Sequence, residues 1–221
     1  GRREIGGLAY YGSSGLLRRG LNEYALRLGL PRDSALGGGY GSRPVLQGSY
    51  RQGLSDRLTL GGRIEADEQV RNAGIDVGVL TGLGEFGLTL AGSHDEVAGS
   101  GRALALRHAW TTRTWSLSSG WRRFESSYRT ISTADFAPAD PLREDAFVSA
   151  SWSPAGPWSL RGNLGTRRLG SRRERNLGLG LALRLPGSAR LLVGAERRLQ
   201  ASGNDTTVVA SLVAPLGRSG Q

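Results

Sequence analysis

Cysteine, lysine and methionine are all absent from the 221 residues, and every one of the 29 basic side chains is arginine. Without cysteine there is no disulfide framework, no thiol nucleophile and no cysteine-based zinc site. Two histidines are too few to build a transition-metal site in its place. Long apolar runs are missing as well: hydrophobic residues make up 38% of the chain, 35 glycines interrupt them, and nothing approaches the ~20 apolar residues of a transmembrane helix. The chain opens on neither an initiator methionine nor a secretory apolar region, so it reads as a mature product or an excised piece. No cofactor is expected.

What remains is charge and alternation. A net charge of +10 and a pI near 11.1 raise nucleic acid as a partner. Nucleic-acid binding asks for arginines gathered on one exposed face with aromatics interleaved for stacking. These arginines are spread along the whole chain, and nucleic acid is not an expected partner. Their setting is more informative. Along RLTLGGRIEA, residues 57–66, Leu58, Leu60, Ile64 and Ala66 fall on one side of an extended chain, and Arg57, Thr59, Arg63 and Glu65 on the other.

That pattern recurs about twelve times, near residues 24–30, 45–52, 57–66, 72–80, 85–93, 102–110, 114–124, 145–153, 158–167, 175–185, 189–198 and 205–214. In RNLGLGLALRL, Leu177, Leu179, Leu181, Leu183 and Leu185 oppose Gly178, Gly180, Ala182 and Arg184. No stretch follows a period of 3.6, so the fold class is all-β. The links alternate too. GLSD, TGLG, TTRT, PAGP and PGS are tight, whereas PRDSALGGGYGSRP, ADEQVR, HDEVAGSG, ESSYRTISTADFAPADPLRE, RLGSRRE and QASGND are longer. In an up-and-down sheet every tight turn then lies at one end and every longer loop at the other.

Short turns at one end, longer loops at the other and strands of about 9 to 11 residues describe an antiparallel transmembrane β-barrel of the outer-membrane type. Trp110 and Trp115 flank one tight turn and Trp152 and Trp158 another, as an aromatic girdle at the membrane interface would. In such a barrel leucine faces lipid and the polar register faces a watery lumen, which places Arg27, Arg51, Arg63, Glu65, Asp76, Arg107, Arg122, Arg161 and Arg184 on the lumen side. A soluble β-sandwich, an adhesion module for instance, is the rival, and it must pack its apolar faces on each other. Two places break the pattern: His108 falls in the lipid-facing register, and TTVVASLVA is apolar on both faces.

Motifs of chemistry are sparse, and no enzyme is expected. GLGEFG, residues 82–87, matches G-x-G-x-x-G, but that motif binds a pyrophosphate only where a strand hands over to a helix. Here it is a hairpin turn. His94, Asp95 and Glu96 form the only compact acid-base group and read as a solvated loop. The basic loop RRLGSRRER, residues 167–175, could grip phosphates through its guanidinium groups. On a barrel the phosphates within reach are lipopolysaccharide head groups.

At residues 15–29, GLLRRGLNEYALRLG resembles the segment of fimbrial outer-membrane ushers in which the chain leaves the plug domain and re-enters the barrel, matching at Leu17, Arg18, Gly20, Tyr24 and Gly29. VLQGSYRQGLSDRLTLGG is similar to the next usher hairpin, at Gln47, Gly48, Gly53, Leu54, Asp56 and Thr59. WRRFESSYRTIS resembles an usher strand that ends in an aromatic and serine-rich loop, and VAPLG a recurrent strand-to-turn ending. The resemblance implies a barrel of about 24 strands, of which this chain is the post-plug half. It implies three parts: 1–22 returning from the plug, 23–217 forming barrel strands, and 218–221 a truncated end. It also implies a bacterial outer-membrane location, and partners in periplasmic chaperone–pilus subunit complexes, the plug domain and outer-membrane lipid. The role is conduit and scaffold. A complete 12-stranded pore or an autotransporter-like barrel is the alternative within the same fold class.

Overall fold

The computed structural model describes residues 15–30, 32–33, 39–40, 43–134, 141–200 and 203–214. Twelve long strands follow one another: β1 Asn22–Gly29, β2 Val45–Ser55, β3 Leu58–Ala66, β4 Val70–Thr81, β5 Gly84–Asp95, β6 Gly99–Thr111, β7 Trp115–Phe124, β8 Leu142–Trp152, β9 Trp158–Leu169, β10 Arg172–Arg184, β11 Arg190–Gln200 and β12 Gly203–Val213. Each pairs antiparallel with the next, so sheet order is chain order from β1 to β12. A two-residue ladder joins Arg32–Asp33 to Gly39–Tyr40 in the link after β1, and a four-residue helix, α1, spans Ile131–Ala134. The outermost strands β1 and β12 are exposed at every residue and do not pair with each other among the described residues.

Among the described residues no second large sheet covers this one, as a sandwich would need. Instead the two faces differ in crowding. Directly paired residues share a face, and all the buried strand residues, among them Thr59, Val70, Asn72, Ala91, Ser93, Asp95 and Ala103, fall on a single face by that register. Side chains converge on the inside of a curved sheet and spread on its outside, so this is the inner face. The outer face presents large apolar side chains in the open: Leu177 is 46% exposed, Leu179 57%, Ile75 56% and Leu164 56%. A continuous apolar face of that size is not water's partner in a soluble monomer.

The link lengths correct the sequence expectation. Only the links 30–44 and 125–141 are long. ADEQVR is half strand and HDEVAGSG and RLGSRRE mostly strand, turning within 67–69, 96–98 and 170–171. Side chains close these hairpins: Asp67 Oδ1 accepts the Gln69 and Val70 amides at 2.8 and 2.6 Å, and Asp95 Oδ1 accepts those of Val97 and Ala98 at 2.8 and 2.6 Å. Gly170 turns the third with φ of 57°. Polar residues occupy both faces of these strand ends, so apolar alternation stops before the ladder does. The residues 167–175 are accordingly a hairpin of β9 and β10 rather than a basic loop. GLGEFG runs from the turn at 82–83 into β5, with no helix to receive a pyrophosphate.

Candidate functional site

The register puts Arg27, Arg51, Arg63, Glu65, Asp76, Arg107, Arg122, Arg161 and Arg184 on the inner face together. Carboxylates interleave with them. Arg51 meets Glu23 at 3.0 Å, Arg107 meets Glu85 at 3.7 Å, and Arg122 donates through Nε and Nη2 to Asp145 at 2.8 and 2.6 Å, with Arg167 on the other carboxylate oxygen at 3.5 Å. Asp76 accepts the Thr89 hydroxyl at 2.6 Å. Glycine across the strand makes room for these side chains to lie flat. A Cβ at Gly87 would stand 2.3 Å from the Arg107 Nε, and one at Gly61 would stand 3.0 Å from Cγ of Arg51.

Two segments leave the sheet and lie on this face. The first is 15–21, which leads into β1. The Leu17 amide donates to Thr59 Oγ1 at 2.9 Å, the Arg19 amide to Asp56 Oδ1 at 3.0 Å, and the Gly20 amide to the Gly53 carbonyl at 2.9 Å. Arg51 Nη2 reaches the Gly15 carbonyl at 2.5 Å. A Cβ on Gly53 would sit 2.2 Å from the Arg18 carbonyl oxygen. Positions quoted above for two separate matching stretches thus meet as one clip, in which Gly53, Asp56 and Thr59 hold the chain as it arrives from the inner side.

The second segment starts the link 125–141. Asn72 Nδ2 donates to the Tyr128 hydroxyl at 2.7 Å and to the Arg129 carbonyl at 2.9 Å, while the Arg129 amide donates to Ser93 Oγ at 2.9 Å. The Ile131 amide reaches Glu65 Oε1 at 3.3 Å, which seats α1 against the inner ends of β3 and β4. Tyr128, 7% exposed, lies beside Phe124 with ring centroids 5.7 Å apart and the rings tilted by 38°, and packs on Ala91 and Ala103. Sequence reasoning missed Asn72, Ser93 and Tyr128. Their only signal was small or polar residues, Ser93, Gly101 and Ala103, where a wide lumen has no steric need for them.

The outer face has its own order. Trp115 stacks on Trp152 at 5.3 Å, and Trp158 meets Trp152 edge-on at 4.7 Å, with Trp110 on the same face and at the same end. His108 stacks on Phe86 at 4.4 Å and its Nε2 lies 2.8 Å from the Leu83 carbonyl of the adjacent turn. It is a rim residue, which accounts for its place in the apolar register. His94 and Asp95 point to opposite faces: His94 Nδ1 meets Ser100 Oγ at 3.0 Å, while Asp95 is buried in its turn and bonded by Gln69 Nε2 at 3.3 Å. They do not form an acid-base site.

No family model and no curated protein matches the sequence. Solved structures do match the fold. The P pilus usher (PapC) translocation pore superimposes with a TM-score of 0.70 at 16% identity, over 91% of this chain and 44% of that one. An E. coli P pilus tip assembly intermediate, PapC-PapD-PapK-PapG, gives 0.76 at 17% identity, over 92% of this chain and 27% of that one. A second structure of the PapC pore gives 0.55 at 14% identity, over 89% of this chain and 57% of that one. The chain spans less than two thirds of the length of each.

Proposed function

We propose that this chain is about half of the wall of a pilus usher barrel in the bacterial outer membrane, a conduit through which chaperone-delivered pilus subunits are secreted and assembled. The observation that carries it is the single curved sheet of twelve strands, apolar outside and ionic inside, which matches the usher pore over nine tenths of its length. The strands span the membrane, the nine inner-face charges line the lumen, and the tryptophans mark the periplasmic rim. Residues 15–21 lie on the lumen side, where a plug would sit, because the clip holds them on the inner face. Two free edges are not tolerated in hydrocarbon, so β1 and β12 pair with further strands of the same barrel.

Deleting the gene and counting surface pili by electron microscopy, with complementation by the intact gene, tests the function. Loss of pili with subunits retained in the periplasm is expected. Unchanged piliation would overturn it. Facing is tested by single cysteines along β10 in a chain that has no others: a membrane-impermeant maleimide should label at Gly180 and spare Leu179 and Leu181.

A further inference from the structure

The outer face is not uniform along the strands. At the end that carries Trp110, Trp115, Trp152 and Trp158, the strand residues of this face are mostly apolar or aromatic and include no arginine or carboxylate, with His108 capped as described. At the opposite end the same face carries arginines. Arg123, Glu144, Arg168 and Arg173 stand directly opposite one another across β7, β8, β9 and β10, and Arg175 follows one step inward. The row extends to Arg102 and Arg71 on one side, while on the other Arg197 stands opposite Leu177.

On the inner face Arg51, Arg107 and Arg122 each meet a carboxylate of their own, Glu23, Glu85 and Asp145. Among the described residues the belt arginines make no close ion pair; the carboxylate inside the row, Glu144, is bonded by Trp121 Nε1 at 2.9 Å and attracts Arg168, Arg123 and Arg173 at longer range, so three arginines share one carboxylate. The Nε of Arg168 is buried and has no acceptor. Guanidinium groups side by side repel, and they are stable together where an anion with several acceptor oxygens bridges them. Immediately inward along the same strands lie Val148, Leu164, Leu177 and Leu179, exposed and apolar. An anionic head directly above acyl chains fits that succession.

We infer that this belt binds the phosphates of outer-leaflet lipopolysaccharide, acyl chains lying on the leucine band and head-group phosphates bridging Arg123, Arg168, Arg173 and Arg175. The assignment rests on the outer-membrane reading above, which makes the belt end extracellular. Lipopolysaccharide then contributes to holding the barrel wall at a fixed depth.

The test uses the full-length protein purified in a non-ionic detergent. Fluorescence titration with lipopolysaccharide micelles compares the parent, the outer variant R168Q/R173Q/R175Q and the inner-face variant R107Q/R122Q/R161Q, with enzymatically dephosphorylated lipopolysaccharide and inorganic phosphate as further probes. The outer variant should bind about tenfold or more weakly, since each arginine at an anionic surface contributes a several-fold factor. The inner variant should bind as the parent does, dephosphorylated lipid should bind as weakly to the parent as to the outer variant, and millimolar phosphate should not compete. Equal binding by parent and outer variant, or indifference to dephosphorylation, overturns the belt; competition by phosphate replaces the lipid with a free-phosphate site and also overturns it. A second arm separates the underlying reading: S171C, in the β9–β10 turn at the belt end, should label with impermeant maleimide on intact cells. Absence of labelling there overturns the orientation, and the ligand with it, whatever the titration shows.

Discussion

On β10, neighbouring residues have opposite surroundings, and single substitutions separate the faces. Leu179 is 57% exposed on the outer face, which the proposed barrel turns towards lipid. Arginine there should cost about 2 to 4 kcal/mol in the folded barrel, and arginine at Leu181 the same. The adjacent Gly180 has no atom nearer to an added Cβ than the Val193 carbonyl oxygen at 3.9 Å, so Gly180→Arg should cost well under half as much. Gly178 is the instructive control: it shares the inner face, yet a Cβ there would stand 2.3 Å from Asn163 Oδ1. Gly178→Arg should therefore fall between the two, since the asparagine must rotate away. Urea titration followed by heat-modifiability gels orders the variants. Equal tolerance at 179 and 180 would remove lipid from the outer face.

At the scale of elements, each inward segment is held by side-chain hydrogen bonds and by close approach to a glycine, and each kind of contact has its own test. Thr59→Val strands the Leu17 amide at a cost of about 1 kcal/mol and, with the Gly20–Gly53 backbone bond left in place, should speed tryptic cleavage at Arg18 or Arg19. The 125–134 segment hangs on Asn72, Ser93 and Glu65, and its backbone passes directly over Gly101. A Cβ at Gly101 would stand 2.2 Å from the Tyr128 nitrogen, with no flexible side chain to give way. Gly101→Ala should thus lift the whole segment, seen as faster amide hydrogen exchange at Arg129 and Ile131 while the β5–β6 ladder stays protected. Unchanged exchange there would show that the seat is looser than the distances indicate. These contacts also mark the limit of the sequence. Period-two alternation exposed the strands and their faces, because the outer face carries leucine where the inner face carries glycine and arginine, residue by residue. It could not expose Asn72 bonding Tyr128 from 56 positions away, nor the strand ends at 167–175, where both faces are polar and alternation carries no information. The clip at Gly53, Asp56 and Thr59 was visible as a resemblance, but its partner in 17–20 emerges only when β2 and β3 curve beneath the incoming chain.

For the whole molecule the open question is what the ionic interior does once the barrel closes. Closure itself has a direct check: a cysteine at Ala25 paired with one at Thr207, Val209 or Ser211 should give no disulfide in the native membrane, since β1 and β12 are separate edges, whereas efficient crosslinking would mean a closed 12-stranded pore. In the intact barrel, neutralising Arg63, Arg107 and Arg122 to glutamine should leave the fold intact. The Arg107–Glu85 pair, partly exposed, contributes about 0 to 1 kcal/mol. The Arg122–Asp145 pair, 13% and 15% exposed, costs more to break, and Arg167 at 3.5 Å keeps a cation on Asp145 when Arg122 is lost. The field inside the lumen should change more than the stability, because a narrow passage with low-dielectric walls focuses it. Attraction for acidic surfaces of a plug or a passing subunit then weakens, and the effect shrinks as salt rises, since screening at ~0.15 M confines such fields to about 8 Å. Conductance of the closed channel in planar bilayers should rise at low salt and converge with the parent at high salt, with a matching fall in pili per cell. A triple variant that folds normally and equals the parent in both measurements at low salt would reduce these arginines to hydration of the wall.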